Sequence, residues 1–107
     1  MSNTISLFEV LEGYKLSGYK PTRGKFMDTD TKSCCPLIAA KIGREGKDIV
    51  GPNWGIEGID VSYKWGFVNG VDGTKMDKDE NQEYKNGYRD GEEMWKAITK
   101  LVEKGEL

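Results

Sequence analysis

The chain has 107 residues, a formal charge of −2 and no histidine. That length fits one small domain with a modest core. The slight acidity excludes a uniformly basic nucleic-acid binder. The missing imidazole excludes Ser-His and Cys-His dyads and the commonest metal ligand.

Hydrophobic residues make up only 36%, but three Trp, five Tyr and three Phe can each bury a large area. No apolar run approaches the ~18 residues of a membrane span, and Thr4–Val10 is too short and polar for a secretory h-region. Cys34 and Cys35 are the only cysteines and adjoin each other, so they close no loop within the chain, as expected in a reducing compartment. The expectation is a cytoplasmic protein with one domain over residues 1–107.

The first element is an amphipathic helix over about Thr4–Ser17. Leu7, Val10, Leu11 and Tyr14 hold one stripe, and Ser6 with Glu9 matches a capping box, while Thr4 or Asn3 offers an earlier start. Gly13 weakens its middle, and Gly18 followed by Pro21 stops it. Residues 24–28 and 32–34 then read as a short β-hairpin around the turn residues Thr29, Asp30 and Thr31. Pro36 sits at a first helical turn, and Leu37, Ile38, Ala39, Ala40 and Ile42 follow as a core helix closed by Gly43. Gly43–Ile59 is a long glycine-rich connection containing Trp54.

Two copies of one phrase follow. Tyr63-Lys64-Trp65-Gly66-Phe67-Val68-Asn69-Gly70 and Tyr84-Lys85-Asn86-Gly87-Tyr88-Arg89-Asp90-Gly91 both read Tyr-Lys-x-Gly-aromatic-x-x-Gly. On a helix the Tyr, both Gly and the second aromatic share a stripe. Each interior glycine costs roughly 1 kcal/mol against alanine, so four of them call for close approach of two backbones. The pattern predicts a helix from Asp60 as cap to Gly73 as C′ residue, and a last helix fraying near Lys104-Gly105, with Asp79 and Gln82 as its capping box. The expected class is α+β, mostly α: N-terminal helix, short hairpin, short core helix, long glycine-rich loop, and a C-terminal antiparallel helical hairpin packed through glycines.

Chemical motifs are few. Gly43-Arg44-Glu45-Gly46-Lys47-Asp48 lacks both the first glycine and the Ser or Thr of a phosphate loop. Asp77, Asp79, Glu80 and Glu83 lack the spacing of a calcium loop. No catalytic residue, metal site or cofactor is expected. Cys34 and Cys35 precede a helix, where backbone N–H groups can stabilise a thiolate, and are the redox candidates; with no basic partner evident, the preferred reading is that at least one is a small buried apolar group. Lys15, Lys20, Arg23 and Lys25, with Tyr19 among them and no acid, are the nucleic-acid candidates. Residues 11–48 carry a net charge of +3 and residues 57–107 one of −4. Trp54 and Trp65 are the candidates for contact with a protein partner or a second copy.

Two resemblances rest on these residues. Tyr-x-x-Gly-Phe-x-x-Gly-x-x-Gly at Tyr63–Gly73, then Tyr-x-x-Gly-Tyr-x-x-Gly at Tyr84–Gly91, resembles the helical pair of ribosome modulation factor, a family that binds ribosomal RNA. Cys34-Cys35-Pro36-Leu37 and Gly66-Phe67-x-x-Gly70-x-Asp72-Gly73, with the helix and hairpin before them, resemble small uncharacterised proteins of bacteria, phages and marine microbial sequence sets. The first implies RNA binding, and the second a microbial cytoplasm. The residues themselves favour a non-enzymatic interaction module, possible alternatives being weak nucleic-acid or ribosome binding and a thiol-dependent activity at Cys34 and Cys35.

Overall fold

The first helix, α1, spans Leu7–Ser17. It starts later than Thr4, and of the expected starts Ser6 is the cap: its hydroxyl accepts from the Glu9 N–H at 3.3 Å and donates to the Glu9 carboxylate at 3.0 Å. Gly18 ends it in the left-handed conformation, φ 74°, its N–H bonded to the Tyr14 carbonyl. The computed structural model describes residues 4–46, 56, 58–76 and 81–107. They fall into two compact units, one over Ile5–Ile56 and one over Glu57–Glu106.

In the first unit α1 packs on α2, Pro36–Glu45. Pro36 fills the first turn, where its missing N–H costs nothing. Every residue from Pro36 to Ile42 is buried, which makes α2 a core helix. It does not stop at Gly43. It runs on to Glu45, and Gly46, φ 94°, caps it. Gly43 instead faces α1: a Cβ there would press onto the Glu9 carbonyl, 3.0 Å from its carbon and 3.3 Å from the Gly13 nitrogen. Gly13 meets Ala39 in the same way. The glycine that weakens α1 as an isolated helix is what lets it lie backbone to backbone on α2. The pair is antiparallel, because residues 9 and 13 meet 43 and 39 in reverse order. Arg44 closes the contact with an ion pair and hydrogen bonds to Glu9.

Three two-residue strands lie between these helices: β1 Lys20–Pro21, β2 Met27–Asp28 and β3 Ser33–Cys34. The hairpin is the expected one, with Met27 opposite Cys34 and Asp28 opposite Ser33. The Asp28 carboxylate takes the backbone N–H of Asp30 at 2.9 Å and of Thr31 at 3.3 Å, an Asx-type turn. β1 was not expected. It pairs parallel to β3, giving the order β1-β3-β2 with Pro21 on an edge. The buried Tyr14 hydroxyl donates to the Cys34 carbonyl at 2.9 Å and ties α1 to the central strand.

The second unit is the glycine-rich helix pair, α3 Val61–Asp72 and α4 Gln82–Glu103. Asp60 caps α3 and Gly73, φ 75°, ends it, as the sequence indicates. Asn81 caps α4, accepting from the Tyr84 N–H at 2.9 Å, and Asp79 of the expected box lies outside the described residues. All four glycines lie in the interface. A Cβ on Gly66 would press onto the Tyr84 carbonyl, 2.9 Å from the Tyr88 nitrogen. Gly70 meets Tyr88 and Glu92, Gly87 meets Tyr63 and Phe67, and Gly91 meets Phe67 and Val71. The i,i+4 ridge of each helix thus drops between the residues of the other.

The direction of this pair corrects the antiparallel expectation. Going up α3 from Gly66 to Gly70 also goes up α4, from Tyr84 to Glu92. The two N-termini adjoin, with the Asn81 amide donating to the Ser62 hydroxyl at 3.1 Å. α3 and α4 are therefore parallel. An antiparallel hairpin is the default for a short connection, but residues 74–81 are long enough to return: eight residues reach about 26 Å, and α3 is about 18 Å long.

The repeat is also a local two-fold. At an offset of 21 residues, Asp60 matches Asn81 as cap, Tyr63 matches Tyr84 and Asn69 matches Asp90. The side chains obey it: the Tyr63 hydroxyl donates to Asp90, and the Asn69 amide donates to the Tyr84 hydroxyl at 2.6 Å. Tyr63 stacks with Phe67 at 6.3 Å, and Tyr84 with Tyr88 at 6.4 Å.

Two outcomes check this packing. Gly→Ala on an open helix face stabilises by roughly 1 kcal/mol. Here Gly87→Ala should destabilise by about 1–3 kcal/mol, as overpacking does, lowering the urea midpoint; a raised midpoint would contradict the contact. Glu9 offers the second. Burial raises its carboxyl pKa, but the bonds and charge of Arg44 with the bonds of Ser6 outweigh that, leaving it below its ordinary 4.5. A depressed carboxyl contributes stability above its unfolded value, and that contribution is lost as pH falls through the folded value. The acid limb of urea stability should therefore be shallower in Arg44→Gln than in the wild type; equal slopes would refute the pairing.

Candidate functional site

α3 shows two faces. Tyr63, Gly66, Phe67 and Gly70 turn towards α4 and are buried. One side away from that ridge carries Val61 and Trp65, one turn apart, which are 56% and 50% exposed. Helical geometry forces the division: once the glycine stripe is spent on α4, residues about 100° from Gly66 must leave the interface. A half-exposed tryptophan leaves much apolar surface in water. Trp54, the other aromatic candidate, and most of the Gly43–Ile59 connection lie outside the described residues.

The first unit exposes Phe8 to 72%, with Leu7 and Leu16 also outward. The sequence stripe places Leu7 on the buried face with Val10 and Tyr14, yet only the latter two are buried. The signal that could have shown this is the glycine at position 13. It marks the contact line, and Leu7 lies nearly two turns before it.

The four basic candidates are all exposed. Lys15 is in the last turn of α1 and Lys20 on the edge strand β1; Arg23 and Lys25 lie between β1 and β2. They share the first unit, and one of them is paired there. Lys25 pairs with Asp28 at 2.6 Å, and that bond, with the Thr31 and Asp30 N–H groups, holds the Asp28 carboxyl below its usual range. Lys32, exposed and at φ 53°, adds a cation outside that candidate set.

Cys34 lies in the central strand and Cys35 caps α2, and both are buried. Burial, with a smaller push from Cys35, raises the Cys34 thiol to about 12. It is therefore a neutral thiol at physiological pH, packed as a small apolar group. Helix N–H groups do not offset that desolvation. Among the described residues, no group of three or more Cys, Asp or Glu could hold a metal ion, and no helix is long and apolar enough to cross a membrane.

No family model, curated protein or solved structure matches the chain.

Buried thiols react only after local opening. A thiol reagent at pH 7.5 should label Cys34 at least about tenfold more slowly in the native protein than in denaturant. Equal rates would show an accessible thiol.

Proposed function

We propose that the protein is a non-enzymatic interaction module whose contact surface is the outward side of α3, centred on Trp65 and Val61. The observation that carries this reading is the exposure of Trp65 on a helix whose opposite stripe is locked by four glycines. Tryptophan is enriched among the residues that dominate interface energies, because it offers a large rigid area at little entropic cost. A rigid platform strengthens the effect, since little order remains to be imposed on binding. The partner is a protein or a second copy of the chain.

A second reading has one observation in its favour. Lys15, Lys20, Arg23 and Lys25 all stand exposed in the first unit, Lys20 on the edge strand β1. Exposed cations of this kind support weak binding to a phosphate backbone, for which the acidic total leaves little long-range attraction.

Photocrosslinking separates these readings. A photoreactive residue replacing Trp65, in the cells that make the protein, should capture a protein or a second copy, whereas the same residue replacing exposed Lys100 should not. Equal capture from both positions, or none from position 65, would contradict the α3 surface. RNA captured from position 20 at low salt, with nothing from position 65, would establish the second reading instead.

A further inference from the structure

Two Asn-Gly dipeptides lie in the helix pair, Asn69-Gly70 in α3 and Asn86-Gly87 in α4. Packing demands both glycines, since each lies against the backbone of the facing helix. They bring a chemical weakness with them. Asparagine is a thermolabile residue, and a following glycine has no Cβ to hinder attack by its own nitrogen on the asparagine side chain. Inside a helix that attack is blocked. The Gly70 N–H is spent in the helix's hydrogen bonding, and a ψ near about −42° keeps its nitrogen away from the Asn69 Cγ. Asn69 has a further restraint: its amide donates to the Tyr84 hydroxyl of α4 at 2.6 Å. Asn86 is held from within its own helix, by the Gln82 amide at 2.9 Å. Asn69 also lies in the last turn of α3, which ends at Asp72, and helix ends open most readily.

We propose that Asn69 is a self-modification site gated by Tyr84: when the end of α3 opens, the Gly70 nitrogen attacks the Asn69 side-chain carbonyl, and the amide becomes a carboxylate. The N–Cγ bond forms, the Cγ–Nδ2 bond breaks, and the side-chain nitrogen leaves as ammonia with the Gly70 amide proton. Water then opens the five-membered imide. Opening at Cγ returns the original backbone with aspartate at position 69. Opening at the backbone carbonyl leaves the chain running through Cβ and Cγ, one atom longer. The fold separates these products. At the place that matches Asn69 in the local two-fold the chain already pairs an acid with a tyrosine, the Tyr63 hydroxyl donating to Asp90. Aspartate at position 69 takes the same bond from Tyr84, so the pair closes again with one more negative charge. The longer chain displaces Gly70 from its seat against Tyr88 and Glu92 and leaves the pair open. The site thus converts time spent open into a permanent charge, independently of the surface around Trp65.

The test follows the amide-to-acid mass gain of the peptides containing Asn69 and Asn86 during incubation at pH 8. In the native chain, conversion at Asn69 should be at least about tenfold slower than in denaturant. Equal rates, or no conversion in either state, would overturn the proposal. Tyr84→Phe keeps the ring and removes the bond to Asn69. It should raise the Asn69 rate relative to the Asn86 rate by at least about twofold, whereas a general loss of stability moves both rates together. An unchanged ratio would overturn the gate. Asn69→Asp supplies the aspartate product directly and should fold with a urea midpoint close to that of the wild type; a chain that no longer folds would overturn the re-closing.

Discussion

The second unit depends on one contact type, the carbonyl of one helix lying against the Cα of a glycine on the other. It occurs four times between α3 and α4, at Gly66, Gly70, Gly87 and Gly91. Without a Cβ the backbones approach until Cα–H groups face carbonyl oxygens, which adds weak hydrogen bonding to dispersion. Each glycine taxes its own helix by roughly 1 kcal/mol, so the arrangement is stable only if the close approach returns more than that. The stacked Tyr63–Phe67 and Tyr84–Tyr88 pairs flank the ridge. The first unit uses the same device twice, at Gly13 and Gly43, where α1 lies on α2.

This economy explains how a chain with so little aliphatic content forms cores. Backbone approach takes the place of large interdigitated side chains, and a few aromatics fill the flanks. It also dictates the surface. A helix that gives its small residues to a partner must place Trp65 elsewhere, and α3 turns it outward beside Val61. The functional reading thus follows from the packing, because the surface available to a partner is what the glycine ridge leaves over.

Much of this was legible in the sequence. The doubled phrase located both helices and the four interface glycines, since glycine at i and i+4 within an aromatic stripe has few other uses. The caps at Ser6, Asp60, Gly18 and Gly73 were legible because capping chemistry is local. What sequence could not supply was non-local. Nothing local distinguishes Gly43 as a packing residue from a helix stop; that depends on α1 arriving beside it. The strand β1 exists only because β3 lies there to pair with it. The direction of α4 against α3 is likewise set by where the link returns, and both directions bury the same stripe. Beside Pro36 the sequence offered Cys34 both as a helix-end thiol and, preferred, as a small buried apolar group, and burial, not helix polarity, decides its charge.

The order of contacts along the two helices tests the account most directly. Interproton contacts measured by NMR should link the Gly66 Hα to Tyr84 and Tyr88, the Gly70 Hα to Tyr88 and Glu92, and Ser62 to Asn81. Contacts running in the reverse order, with Gly66 nearer Gly91 and Ser62 far from Asn81, would show an antiparallel pair. The glycine ridge, its two-fold and the outward side of α3 would then all have to be redrawn.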